Sequence, residues 1–327
     1  MRNLADTGII WVFCENGPQG VREVSYELLG AAARLAKDAG TRVIAVALGA
    51  GAGAPVEEMC ARGADEVLLV EDAALDAPEE MRYTEEICAL AREFSPDVFL
   101  LGGTMFGRSL APRVAARLST GLTADCTHLE IDKETGLLLQ TRPAFGGNLF
   151  ATILCPEARP QMATVRPKVF PMPEADRTRP VRVKRRKAVS KPSMVELLSL
   201  RGGEAGVNLA DYDVLVCVGQ GIGGAENIAR AEKLAEKLGG TLAASRPMVD
   251  AGILPYARQV GQTGKSVAPK LYLALGVSGA IQHLAGVNAE ALAAVNTDPE
   301  APIFERADYG IVQDCGAFLE EALAALG

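Results

Sequence analysis

Aromatic residues are scarce, at 5% of the chain with a single tryptophan, which argues against a β-sandwich core and suits helices packed closely on a sheet. Histidine is scarcer still, with only His128 and His283. Any enzyme that moves protons to a substrate therefore has few imidazoles to use. No uninterrupted apolar stretch reaches the roughly 20 residues that a bilayer-crossing helix needs. A CxxC pair is missing too: Cys14, Cys60, Cys88, Cys126, Cys155, Cys217 and Cys315 are odd in number and widely scattered, so no disulfide framework, zinc site or iron–sulfur site is expected. Basic excess is absent, because the formal net charge is −8 and the pI is near 5.1, and a nucleic-acid partner is not expected. What is present is aliphatic and small: 49% hydrophobic residues and 34 glycines over 327 positions, a length for two domains of about 150 residues each. These features predict an α/β protein, soluble, cytoplasmic and without membrane insertion, whose thiols are buried and reduced.

Apolar runs alternate with helical patterns through the first half. GIIWVFCE (8–15) reads as a strand, VSYELLGAAARLAKDAG (24–40) as an amphipathic helix stopped by Gly40, and TRVIAVALG (41–49) as the next strand. The rhythm continues through EVLLV (66–70), a helix over 79–94, DVFLLGG (97–103) and a helix over 107–118, predicting a doubly wound, mostly parallel sheet. The GGT turn at 102–104 reads as a tight structural turn under that last helix. Residues 122–170 change character and predict added antiparallel strands, with His128 on an apparent strand. PMPEADRTRPVRVKRRKAVSKP (171–192) joins prolines to a dense basic run. The alternation of Val181, Val183 and Val189 with the charges reads as a last edge strand entering a solvated linker, and the domains are drawn as 1–187 and 188–327. The second part begins with a helix-like SMVELLSL, then the strand DYDVLVCVG (211–219) and the helix AENIARAEKLAEKLGG.

Between that strand and helix lies GQGIGG (219–224), a glycine pattern that lets backbone approach a pyrophosphate at a helix N-terminus. The acidic ribose ligand expected about 20 residues later is missing; TLAASRP ends instead in Ser245 and Arg246. Arg246 suits a 2′-phosphate, so an NADP-dependent oxidoreductase is the alternative reading of this motif alone. A second turn follows LYLALG (271–276), where Ser278 is expected to cap the helix AIQHLAG. Gln282 and His283 interrupt that otherwise apolar helix, and buried polar groups need partners.

Longer segments carry a family resemblance. QVGQTGKSVAPKLYLALGVSGAIQHLAGV (259–287), with SRPMVDAG (245–252) before it and VNTDPEAPIFERADYGIVQD (295–314) after it, resembles the FAD-binding domain of electron transfer flavoprotein alpha subunits. LLGGTMFGRSLAPRVAARLSTGLTADCT (100–127) and RPAFGGNLFATI (142–153) resemble the same family's first domain, so the likeness covers almost the whole chain. The resemblance implies a heterodimer with a smaller beta subunit. It also implies one extended FAD in the C-terminal domain, an N-terminal interface domain without cofactor, and electron relay rather than substrate chemistry. By matching motif, it implies Arg246 near the isoalloxazine as a fixed positive charge, Thr263 as donor to flavin N5, and Gln259, Val260, Gly261 and Gln262 in the same loop. His283 is implied at the O2 end of the ring. Ser278, Gly279, Ala280, Ile281 and Gln282 are implied around the ribityl and pyrophosphate, and Ser245, Asn296 and Asp314 along the phosphate, ribityl or adenosine portions. Gln220 stands where many members carry Arg.

The segment IWVFCENGPQGVREVSYELLGAAARLAKDAG, and Ser266 where many respiratory members have Ile or Val, look more like alpha subunits of anaerobes that work with acyl-CoA dehydrogenases. In part of that group the beta subunit binds a second FAD and splits the electron pair of NADH, with ferredoxin or flavodoxin as one acceptor. A Ser266 hydroxyl near the flavin would favour its reduced forms by a charge-assisted hydrogen bond. Both a bifurcating complex and a simple carrier follow from the resemblance.

Overall fold

The computed structural model describes residues 8–17, 20–49, 51–76, 79–144, 149–189, 195, 198 and 207–326. The chain divides into two compact units, Met1–Leu200 and Arg201–Gly327. The expected helix SMVELLSL lies almost wholly outside the described residues.

In the first unit the aliphatic runs form β1 (Ile9–Cys14), β4 (Arg42–Leu48), β5 (Glu66–Val70) and β6 (Val98–Gly102), with a short hairpin of β2 (Asn16–Gly17) and β3 (Gly20–Val21) directly after β1. Between them lie α1 (Glu23–Ala39), α2 (Val56–Ala61) and α3 (Glu80–Phe94), and α4 (Met105–Leu118) follows β6. Helix α1 stops where Gly40 takes a left-handed conformation, φ 66°, and returns its N–H to the Ala36 carbonyl. Strand β1 is central and covered on both faces, which is why it reads as one unbroken apolar run. Its residues divide by parity: Ile10, Val12 and Cys14 pack with Leu28, Leu29, Ala32 and Leu35 of α1. Trp11 and Phe13 face the other way, onto Ile87 and Leu90 of α3 and Leu110 and Val114 of α4. The scarce aromatics are concentrated on that second face, where Trp11 meets Phe99 edge-on with ring centroids 5.7 Å apart.

Beyond α4 the architecture is finer than the pattern predicted. TADCTHLEID is not one strand: it bends at Thr127 into β7 (Leu122–Cys126) and β8 (His128–Ile131), which belong to different sheets. Strands β8, β9 (Leu138–Ala144) and β10 (Leu149–Ile153) make the antiparallel addition, a separate three-stranded sheet. By contrast, β7 and β11 (Gln161–Val165) return to the main sheet as parallel members, and β12 (Val183–Arg185) closes its other edge. Among the described residues the seven-stranded order is β12-β5-β4-β1-β6-β11-β7 with every pairing parallel. All seven cysteines are free and all but half-buried Cys155 are buried.

The second unit is a five-stranded parallel sheet of β13 (Val214–Val218), β14 (Thr241–Ala244), β15 (Leu271–Leu275), β16 (Ala291–Asn296) and β17 (Tyr309–Val312), ordered β14-β13-β15-β16-β17. Helix α5 (Ala225–Lys237) packs beside α8 (Cys315–Ala325) on one face. The short α6 (Arg246–Asp250) and α7 (Ile281–Leu284) follow β14 and β15. Because β14 and β15 flank β13 on opposite sides, the sheet winds both ways from β13, and the topological switch falls between β13 and β15. Among the described residues no helix is long and apolar enough to cross a membrane.

Thr104 fastens the first unit. Its hydroxyl accepts from Gly107 N at 2.9 Å, capping α4, and donates to Oε2 of buried Glu15 at 2.5 Å. Burial raises the pKa of Glu15, and Thr104 and Arg22 oppose that by favouring the carboxylate. Replacing Thr104 by Ala removes the cap and one partner of a buried carboxyl, so it should cost about 1–3 kcal/mol, most of which Ser should restore. Urea unfolding followed by fluorescence of Trp11, the only tryptophan, reads this unit; an unchanged midpoint for the Ala variant would show that the contact stabilises nothing.

Candidate functional site

Open α/β sheets bind ligands at the carboxyl ends of their strands where the winding reverses. In the second unit a cavity of about 610 Å³ opens at that position, walled by the loops that follow β13, β14, β15 and β16 together with residues 260–263. Its floor is bare backbone. A Cβ on Gly219 would lie 2.3 Å from the Gly276 carbonyl oxygen, and one on Gly276, which has φ +63°, would lie 2.2 Å from the Gly221 carbonyl carbon. Gly221 N donates to Gly276 O at 3.0 Å. The first glycines of GQGIGG are therefore required by a crossing of two chain segments, and that crossing leaves no side chain over the strand ends. Gly224 then stands at the N-cap of α5.

The polar groups on the walls are oriented from behind. His283 is buried and its Nε2 lies 2.9 Å from the hydroxyl of Tyr272, with Cys217 Sγ at 3.9 Å; Tyr272 and Cys217 are fully buried on neighbouring strands. Burial lowers the His283 pKa from 6.5 to about 4, so the ring is neutral. Its other nitrogen, Nδ1, is buried beside the Val260 carbonyl, which favours a proton on the ring. Thr263 shows the same arrangement, since buried Gln259 donates from Nε2 to Thr263 Oγ1 at 3.1 Å and leaves the hydroxyl hydrogen free to donate. Gln262 N donates to Gln282 O at 2.7 Å, joining the 259–265 loop to α7. Asn296 holds two loops, donating to Val277 O at 3.1 Å and accepting from Asp298 N at 3.1 Å. Arg246 is exposed and paired to Asp250 one turn on, Nε to Oδ2 3.1 Å.

Of the residues expected at the site, the cavity wall contains Gln220, Ser245 and Arg246, the loop Val260, Gly261, Gln262 and Thr263, then Ser278, Ala280, Gln282 and His283, and Asn296. Five stand outside it. Gln259 is behind Thr263, and Ser266 is half-buried beyond the loop. Gly279, with φ +85°, is packed so tightly on Ile303 that a Cβ would lie 2.2 Å from its N. Ile281 turns outward, 43% exposed, and Asp314 spends its carboxylate capping α8 through Gly316 N and Ala317 N. Ser278 caps nothing, because α7 is one turn long and starts at Ile281 after Ala280. Pro247, Gly276, Val277, Asp298, Ala301 and Pro302 line the cavity and were not singled out. For Gly276 a signal existed, a glycine directly after the strand LYLAL, facing another Gly-x-Gly. His128 is exposed in the first unit beside Glu130.

Comparison with known proteins adds two family matches. Residues 10–191 match the electron transfer flavoprotein domain and residues 208–288 the electron transfer flavoprotein FAD-binding domain. Among curated relatives, the electron transfer flavoprotein subunit alpha of Thermoanaerobacterium thermosaccharolyticum is 48% identical over 93% of each chain. That of Clostridium acetobutylicum is 44% identical over 98% of each. The acryloyl-CoA reductase electron transfer subunit beta of Anaerotignum propionicum is 40% identical over 93% of this chain and 92% of its own.

The buried imidazole has a measurable consequence. Its folded pKa, about 4, lies below its unfolded value near 6.5, so the unfolded chain takes up a proton across that window and stability falls as pH drops through it. The loss should approach about 3 kcal/mol by pH 4. Thermal melting at pH 7 and pH 4.5 should show a smaller acid penalty for His283→Gln than for the wild type; equal penalties would mean that His283 titrates normally.

Proposed function

Because the chain belongs to the electron transfer flavoprotein family, matching its alpha subunits over nearly its full length, we propose that its FAD lies in the switch-point cavity and that a beta subunit completes the complex. The chain binds FAD and serves electron transfer. The family assignment displaces the NADP-dependent oxidoreductase reading of GQGIGG, whose first glycines the backbone crossing already accounts for.

The observation that carries the cofactor's placement is a cavity at the switch point of the sheet whose floor would be filled by any Cβ at Gly219, Gly221 or Gly276. A floor of bare main chain lets a ligand approach the backbone closely, as a pyrophosphate at strand ends requires. Bound there, FAD supplies the redox chemistry; the chain's residues hold it and tune it. The loop of Val260, Gly261, Gln262 and Thr263 offers a free hydroxyl donor, and His283 a ring nitrogen. Ser278, Ala280, Gln282, Ser245, Asn296 and Gln220 follow the ribityl, pyrophosphate and adenosine end. Arg246, held by Asp250 only at an exposed surface, is free to turn its permanent charge toward the ring, where it favours electron arrival. The first unit is read as the platform for the beta subunit. A flavoprotein acting on acyl-CoA substrates is read as the redox partner, in keeping with a relative named as an acryloyl-CoA reductase electron transfer subunit.

Whether the complex bifurcates is decided by its flavin content. Ser266 stands behind the loop rather than on the cavity wall, so the simple carrier is the reading adopted. The native complex should contain one FAD per alpha–beta pair, and two would establish the bifurcating arrangement.

Arg246 provides the direct test. A unit charge about 4 Å from a developing negative charge is worth roughly 1 kcal/mol in water and about 4 at an effective dielectric of 20, and each tenfold change in a one-electron equilibrium is about 59 mV. Arg246→Ala, co-expressed with the beta subunit, should purify yellow with its FAD retained but show a reduction potential lower by tens of millivolts. Lys should restore only part. An unaltered potential in the Ala variant would remove Arg246 from the site.

A further inference from the structure

Among the described residues, only two charged side chains stand on the cavity wall, Arg246 and Asp298, because His283 is neutral. They stand at opposite ends. Arg246 follows β14 and Asp298 follows β16, and the order β14-β13-β15-β16 separates those strands by three spacings, about 14 Å. The bare floor of Gly219, Gly221 and Gly276 lies between them, after β13 and β15. The cavity is therefore polar along its length, with a permanent cation at one end, main chain in the middle and a carboxylate at the other.

That carboxylate is held in place but not used up. Asp298 N donates to Asn296 Oδ1 at 3.1 Å, and Asn296 Nδ2 donates to Val277 O at 3.1 Å. Asn296 thus spends its own acceptor on the loop and braces Asp298 against the turn that follows β15. Asp298 Oδ1 accepts from Glu300 N at 3.0 Å, a side-chain turn that fixes the carboxylate, while its main-chain oxygen accepts from Ala301 N. No described residue donates to Oδ2, and the residue is exposed on the wall. In doubly wound sheets that bind dinucleotides, an acid at the end of the second strand accepts from a ribose 2′-hydroxyl. Here the corresponding strand is β14, and it ends in Ser245 and Arg246. The acid stands instead across the switch point, after β16.

We propose that Asp298 is the ribose-binding residue of this cavity, its Oδ2 accepting from the 2′-hydroxyl of the adenosine of FAD, with Asn296 as the residue that positions it. This rests on the reading that FAD lies in the cavity. A hydroxyl bound by a carboxylate makes a charge-assisted hydrogen bond, stronger than one to a neutral acceptor. The pyrophosphate then lies over the bare floor, clear of the carboxylate, and the flavin lies toward β14 and Arg246. The same carboxylate discriminates against a 2′-phosphate, which brings like charge and no hydrogen to donate.

The alpha–beta complex, stripped of its flavin, is titrated with FAD and with an FAD analogue whose adenosine lacks the 2′-hydroxyl, binding being read from flavin fluorescence. The wild type should bind the analogue about tenfold more weakly, the scale of one hydrogen bond to a charged group. Asp298→Ala should bind FAD about tenfold more weakly than the wild type and should no longer distinguish the two flavins. A purely structural role would weaken both alike and leave the preference in place, which would overturn the proposal. Equal wild-type affinity for FAD and the analogue overturns it as well, even if the Ala variant does not assemble. Ala280→Trp, at an exposed position on the wall, separates this from the underlying reading. If that variant takes up FAD with wild-type affinity, the cavity does not hold the cofactor. If it excludes FAD while the wild type binds both flavins equally, only the role of Asp298 is lost.

Discussion

The backbone crossing of Gly219 and Gly221 with Gly276 governs the second unit. Two loops leave adjacent parallel strands and must pass each other within the space of a hydrogen bond, Gly221 N to Gly276 O at 3.0 Å. No side chain fits at any of the three positions, and one needs a left-handed backbone. Once the loops cross there, the strand ends between them are uncovered and the chain after Gly276 is directed into the one-turn helix that carries His283. The 259–265 loop is then tied to that helix through Gln262 N and Gln282 O. Cavity, imidazole and hydroxyl donor all follow from this one approach.

Behind the wall, a second layer determines what the wall can do. Gln259 occupies the acceptor side of Thr263, and Tyr272 approaches Nε2 of His283. Each buried side chain meets one face of a neighbour and so defines the chemistry of the other. Gln259 and Tyr272 are almost completely buried, so each holds its neighbour from a dry layer behind the wall.

Much of this was legible in the residues. Strands β1, β4, β5, β6, β13 and β15 were read as unbroken aliphatic runs because burial on both faces removes any polar alternation. Helix α1 was legible to its last residue because Gly40 is both a composition signal and a conformational requirement. The return of β11 between β6 and β7 was not, since non-local pairing leaves no period in the chain. Helix α2 escaped notice because it is six residues long in a Gly- and Ala-rich stretch. At the site, Arg246 and His283 stand out in the residues themselves, as a cation where an acidic ribose ligand is expected and as a polar break in an apolar helix, whereas Thr263 is marked only by the family motif. Asp298, Ala301 and Pro302 were missed because their place on the wall depends on how the β16 loop folds back on Ser278 and Val277. Tyr272 did carry a signal, a phenol in the otherwise aliphatic strand LYLAL, paired in register beside the strand that holds Cys217.

The glycine crossing also divides what can change from what cannot. Where the floor consists only of main chain, substitution has nothing to adjust: each replacement collides with the opposite segment. Side chains return on the walls, Arg246, Thr263 and His283 among them, and there a charge, a hydroxyl or a ring can be exchanged without disturbing the floor. The pocket thus combines a floor that tolerates no side chain with walls that do. Changes of chemistry in this pocket are therefore confined to its walls, while the crossing that opens it stays fixed.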